Sequence, residues 1–192
     1  MTVLFHFPLL GEPLSLDLVN TCVRRDGVDL DLLDTPQGLA TWLRAESARL
    51  AWSGAVSAAD LAAVRALRAA VAALMTARRD GGQPPPAALR QLNAALSAST
   101  AATGLTWTAE GPQLGAPTMT AATRRVSLLH TLAVDAVAVL TGPSGPLLRE
   151  CAHPDCVLQF IATNPRRLWC SAASCGNRAR VARHYLRQRI DQ

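Results

Sequence analysis

Four of the five cysteines fall as Cys151-x4-Cys156-x13-Cys170-x4-Cys175, two equally spaced pairs separated by a short connection. Two turns that each present two thiolates are what a tetrahedral zinc ion needs, with sulfurs at about 2.3 Å from the metal. The x4 spacing is wider than the usual two residues, so each turn is expected to be broad or distorted. Disulfides are disfavoured because no secretion signal is evident, and four unliganded buried thiols would find little core in so polar a stretch. An iron–sulfur cluster remains the alternative ligand for the same sulfurs. With four protein ligands no coordination position stays open for water, so one zinc per chain would be structural. Cys175 opens a helical segment, CGNRARVARHYLRQRI, where the positive helix end favours a thiolate. Phe160 and Trp169 are expected to form the small apolar core between the pairs. Cys22, the odd cysteine, is expected to be a small buried hydrophobe.

The second constellation is arginine. At 100° per residue, Arg180, Arg183, His184 and Arg187 share one arc of the last helix, and Val181, Ala182, Tyr185 and Leu186 face largely the other way. Arg166 and Arg167, on the loop between the cysteine pairs, extend this candidate nucleic-acid surface. Arg178 and Arg189 point toward the apolar side, so Arg178 is expected to anchor carbonyls or an acidic group inside the module. Such an arc suits the phosphates of a DNA major groove, and arginine can also read guanine. The alternative is a face that docks the acidic side of its own chain or another protein. RNA is less expected, because few aromatic side chains are free to stack bases.

Charge supports a division of labour. All nineteen basic residues are arginine; residues 1–150 hold 12 of them against 12 acids, and residues 151–192 hold 7 against Asp155 and Asp191. The net charge of +5 therefore sits in the tail, which implies an anionic partner. The four histidines (His6, His130, His153, His184) are scattered. No phosphate loop, Ser-His-Asp set or carboxylate pair stands out, so no enzyme is expected. His130 reads as a satisfied core residue. The opening stretch lacks a basic flank, and the apolar run from Val126 to Leu140 is short and contains His130 and Asp135. A cytoplasmic chain with no membrane span is expected.

The elements that must position these groups read as mainly helical, because 49% of residues are hydrophobic but only eight are aromatic, leaving Ala, Leu and Val to dominate. Leu14, Leu18 and Cys22 predict a helix over 12–25, followed by an acidic loop. Asp34 or Thr35 caps a second helix with Pro36 in its first turn. Ser57 and Asp60 form a capping box for a third, which ends at Asp80-Gly81-Gly82. Pro84-Pro85-Pro86 opens a fourth, Ala87 to Ser97. Leu105 to Ala109 and Gln113 to Ala116 suggest a hairpin turned at Gly111-Pro112. Thr118 to Leu140 is the longest helix. The breaker cluster Thr141-Gly142-Pro143-Ser144-Gly145-Pro146 sets a boundary between a helical domain, 1–146, and a cysteine module, 147–192. So small a module is expected to unfold alone when its metal is lost.

The string Cys175-Gly176-Asn177-Arg178, with paired cysteines, Trp169 and a basic helix, resembles the CGNR-type zinc finger of bacterial proteins. Leu16-Asp17-Leu18-Val19-Asn20-Thr21 resembles the signature of the ABATE domain that precedes this finger, with Leu18 where Phe is usual. The resemblance carries the four metal ligands onto Cys151, Cys156, Cys170 and Cys175 and implies a stress-induced bacterial transcription regulator. Its helical domain would then sense an effector, of unknown identity, or form a homodimer. Between the cysteine pairs the family usually has an Asp followed by Ser-Arg; here the stretch is about two residues short and that Asp is absent. Asp17 and Asn20 could line a pocket on the first helix, or serve as caps.

Overall fold

The computed structural model describes residues 7–98, 104–109, 111–115 and 120–190. The chain is mainly α, with three two-stranded antiparallel sheets among the described residues. Helix α3 (Ala58–Asp80) is the central element and packs against α4 (Pro86–Ser97), α5 (Ala121–Thr141) and the short α1 (Leu14–Val19). Their apolar stripes close on Val64, Leu67, Val71, Met75, Leu132, Ala133 and Ala136, all fully buried, with Trp42 and Leu39 from α2 (Pro36–Ala45). Each such leucine contributes about 1.5–3 kcal/mol by leaving water.

Caps fix where these helices begin. Thr35 accepts from Gly38 N at 3.1 Å, and Pro36 occupies the first turn of α2. Ser57 and Asp60 form the expected reciprocal box on α3, at 3.2 and 2.8 Å. Asp60 also receives Arg125 of α5 at 3.2 Å, which pins two helices at one end. Gly81 closes α3 with a left-handed φ of 69°. Thr120 caps α5, whose expected start at Thr118 lies outside the described residues.

The helix expected over 12–25 is a correction. Only Leu14–Val19 is helical; the chain then turns into a hairpin of β1 (Cys22–Arg25) and β2 (Val28–Asp31), the latter replacing the expected acidic loop. Asp26 and Gly27 take positive φ of 51° and 76°, the two-residue turn that suits strand twist. Cys22 is consequently exposed rather than buried. Arg24 and Asp29 pair across the strands at 2.7 Å, while Arg68 of α3 grips Asp31 at 2.6 Å and Thr21 Oγ1 at 2.7 Å. The hairpin is thus bolted to the central helix.

The expected hairpin is present as β3 (Gly104–Thr108) and β4 (Gly111–Gly115), with Leu105 opposite Leu114. Gly111 starts the return strand at φ 112° instead of making the turn; Ala116 lies outside the described residues. Past α5, a 3-10 turn at Gly145–Leu147 leads into β5 (Leu148–Glu150), which pairs with β6 (Gln159–Ile161). Leu148 and Ile161 insert into the main helical core, whereas Val23 and Leu32 from the first hairpin join the cluster around the cysteines. The two cores therefore interlock across the breaker segment. Among the described residues no helix is long and apolar enough to cross a membrane.

Candidate metal centre

Two loops bring the four cysteines together. The first runs from Cys151 to Cys156 between β5 and β6, held by Cys151 N donating to Leu158 O at 2.9 Å. The second runs from Cys170 through a π turn, Ala172–Gly176, capped by Ser171, and passes directly into α6 (Asn177–Ile190). All four sulfurs lie within 4.8 Å of one another and all four residues are buried. Cys170 Sγ is 3.9 Å from Cys156 Sγ and 3.6 Å from Cys175 Sγ. A tetrahedron with metal–sulfur bonds of about 2.3 Å has sulfurs about 3.8 Å apart. The donor set and spacing fit one structural zinc ion, held by Cys151, Cys156, Cys170 and Cys175, with no position left for a substrate.

The surroundings favour thiolates on some sulfurs and resist them on others. The bond from the Cys170 thiol holds Cys156 down to about 5, and that same contact, with burial, pushes Cys170 well above the usual thiol range. Burial raises Cys151. Only a cation at the centre lets four adjacent sulfurs ionise together, because it replaces thiol-to-thiolate sharing by direct attraction. Donors aimed at sulfur support that state. Cys170 N points at Cys151 Sγ at 3.4 Å, and Arg178 Nη2 donates to Cys175 Sγ at 2.9 Å. Arg178 Nη1 is 3.7 Å from Asp155, which accepts from Asp26 N and Gly27 N at 3.2 and 2.8 Å. Arg178 thus serves inside the module and ties the hairpin tip to the sulfur cluster.

Phe160, fully buried, and Trp169, partly buried, pack beside the cysteines as expected. A Cβ on Gly176 would sit 3.3 Å from Trp169 Cδ1 and 3.4 Å from Ser171 O, so glycine lets the tryptophan close over the π turn. His153 accepts from Asp155 N at 3.1 Å and is not among the clustered ligand atoms. His130 is half-buried with Nδ1 3.4 Å from Ala95 O, and His6 lies outside the described residues.

The arginines divide. Arg167 turns inward: its guanidinium meets Trp169 O at 3.2 Å, Ile161 O at 3.2 Å, Cys170 O at 2.6 Å and Glu12 at 3.1 Å, and stacks 4.3 Å over the Phe160 ring. Arg166 is exposed on the same loop. On α6, Arg180, Arg183, His184 and Arg187 are all exposed. Arg180 and Arg183 reach only carbonyls of the preceding turns, at 3.3–3.5 Å. On the apolar side of the helix Val181 and Tyr185 are exposed too, at 46% and 64%.

Asp17 and Asn20 take different partners. Asp17 binds Arg49, which also holds Glu46, while the Asn20 amide pairs with the backbone of Gln159 on β6. Sequence reasoning missed Glu12 and Asn20 as partners of the cysteine module, because their contacts lie 149 and 139 residues away, respectively.

A closed four-sulfur site seated on a helical domain and continued by an exposed arginine-rich helix defines a zinc-finger protein with a structural metal. Residues 12–143 match the ABATE family model, described as a putative stress-induced transcription regulator, and residues 148–188 match the CGNR zinc finger. The chain belongs to the ABATE family. No curated protein matches it.

Proposed function

We propose that this protein is a non-catalytic, cytoplasmic DNA-binding regulator in which the zinc ion builds the base of α6 and α6 grips duplex phosphates. The observation that carries this reading is the exposure of the α6 arginines. Arg180, Arg183 and Arg187 are exposed, and none enters an ion pair among the described residues. Their acidic partner is therefore sought outside the chain, which speaks against docking on the chain's own acidic side. His184 and Arg166 extend the surface. Arg167 is left out, since its donors are engaged internally. The helical domain then serves to sense an effector or to pair two copies. A protein–protein role for the finger remains the second reading, favoured by the exposed Val181 and Tyr185 on the same helix.

The test is fluorescence anisotropy with a labelled random duplex at two salt concentrations. Changing Arg180, Arg183 and Arg187 to Ala should weaken binding strongly and reduce the slope of log K against log salt by about 2.7, or roughly 0.9 for each lost phosphate contact. Thermal stability should hardly change. Wild-type protein with no salt-dependent binding, or a triple variant that binds as well as wild type, overturns the reading.

A further inference from the structure

The outer edge of β6 is closed by side chains and not by a third strand. Asn20, at the C-terminal end of α1, donates from Nδ2 to Gln159 O at 2.9 Å and accepts at Oδ1 from Gln159 N at 2.8 Å. Two residues along the same edge, Ile161 N donates to Glu12 Oε2 at 3.0 Å. Glu12 and Asn20 are 7% and 1% exposed, so these bonds form where water does not compete. Together they occupy the alternate backbone groups that an edge strand would otherwise leave open.

From this edge the contacts lead straight to the sulfurs. Leu158 precedes Gln159, and its carbonyl holds Cys151 N at 2.9 Å. The other oxygen of Glu12 receives Arg167, whose same nitrogen donates to Cys170 O at 2.6 Å. One carboxylate thus touches the strand after the first cysteine pair and, through one guanidinium, the backbone of the second pair. Asn20 belongs to the string that marks the helical domain, yet its amide is spent wholly on the finger.

We propose that Glu12 and Asn20 are positioning residues of the metal centre: they hold the two cysteine loops in the register zinc requires and thereby couple metal occupancy to the helical domain. Groups bonded directly to a metal ligand commonly change metal affinity by roughly 10–100-fold when removed; Glu12 acts one contact further out, through Arg167, and Asn20 through the Gln159 backbone, so the loss expected here is smaller. The inference rests on the zinc site alone and stands or falls independently of DNA binding.

The experiment is zinc affinity of the full chain by competition with a chromophoric chelator, with the visible bands of cobalt-substituted protein as a second readout of tetrahedral sulfur geometry. Asn20→Ala and Glu12→Gln should each weaken zinc by more than about threefold, below the range for direct partners of a ligand, and broaden the cobalt bands. Asn20→Asp keeps the acceptor for Gln159 N but loses the donor to Gln159 O, so it should also lose affinity and provides a variant of nearly native shape. Glu12→Gln combined with Arg167→Met should cost less than the sum of the two single changes, because they break one contact. The control is Leu132→Ala, in the helical core, measured where circular dichroism shows both its apo and zinc forms folded: there it should leave zinc affinity within threefold of wild type. Edge variants that also stay within threefold, or a Leu132→Ala loss as large as theirs, overturn the proposal.

Discussion

Asp17 makes an acid-side measurement decisive. Its carboxyl is 2% exposed; Arg49 binds Oδ2, Glu46 shares that guanidinium, and Oδ1 has no hydrogen-bond partner. Burial raises its pKa from 3.8 to about 6, outweighing the lowering by Arg49. The folded state therefore holds this proton more tightly than the unfolded chain. The resulting stabilisation is complete below about pH 4 and is lost as pH rises through about 6. A shift of about 2 units corresponds to about 3 kcal/mol, of which roughly 2 kcal/mol should be lost between pH 4 and pH 7. Asp31 and Asp60 have lowered values, through Arg68 and Ser57 acting against burial, so their contributions fade only below about pH 4 and leave this window clear. Protons linked to zinc binding also act across the window, so wild type alone is a poor probe. The difference between wild type and Asp17→Asn removes them, since both carry the same cysteines. Urea unfolding of both proteins from pH 4 to pH 7 should show wild type losing about 2 kcal/mol relative to the variant. A difference that stays constant within about 0.5 kcal/mol would refute the buried, poorly compensated carboxyl.

Elemental analysis should report one zinc per chain, matching the single cluster of four sulfurs. Chelation should destabilise the helical domain as well as the finger, because Leu148 and Ile161 belong to the main core. Far-UV circular dichroism after zinc removal checks this, and a helical signal and melting point unchanged from the holoprotein would return the finger to an independently unfolding tail. Leu132→Ala should cost about 2–5 kcal/mol in chemical unfolding, since Leu132 is fully buried between packed helices; a loss under about 1 kcal/mol would mean that the α3–α5 seam collapses to fill the cavity.

The chain by itself determined the metal site, since the type and spacing of Cys151, Cys156, Cys170 and Cys175 admit little other chemistry. It also determined the long helices, because Thr35, Ser57 with Asp60, and Gly81 are local signals that act within one turn. The first hairpin was missed although its turn was written in Asp26-Gly27, a strong two-residue hairpin signal. Leu14, Leu18 and Cys22 fit a helical period, and periodicity is blind to where Val23 must go. Tertiary contacts decided that segment: Val23 is buried beside the cysteines, Thr21 and Asp31 meet Arg68, and Asn20 ends the helix to serve β6. The same limit misplaced Arg167, which charge alone put on the surface and which Glu12, Phe160 and three carbonyls draw inside. It also hid the exposure of Val181 and Tyr185 on α6, since amphipathic spacing says which residues share a side and not whether anything covers it. Residues three or four apart share a face by helix geometry alone, but partners 139 or 149 residues apart in the chain meet only once the whole fold has closed.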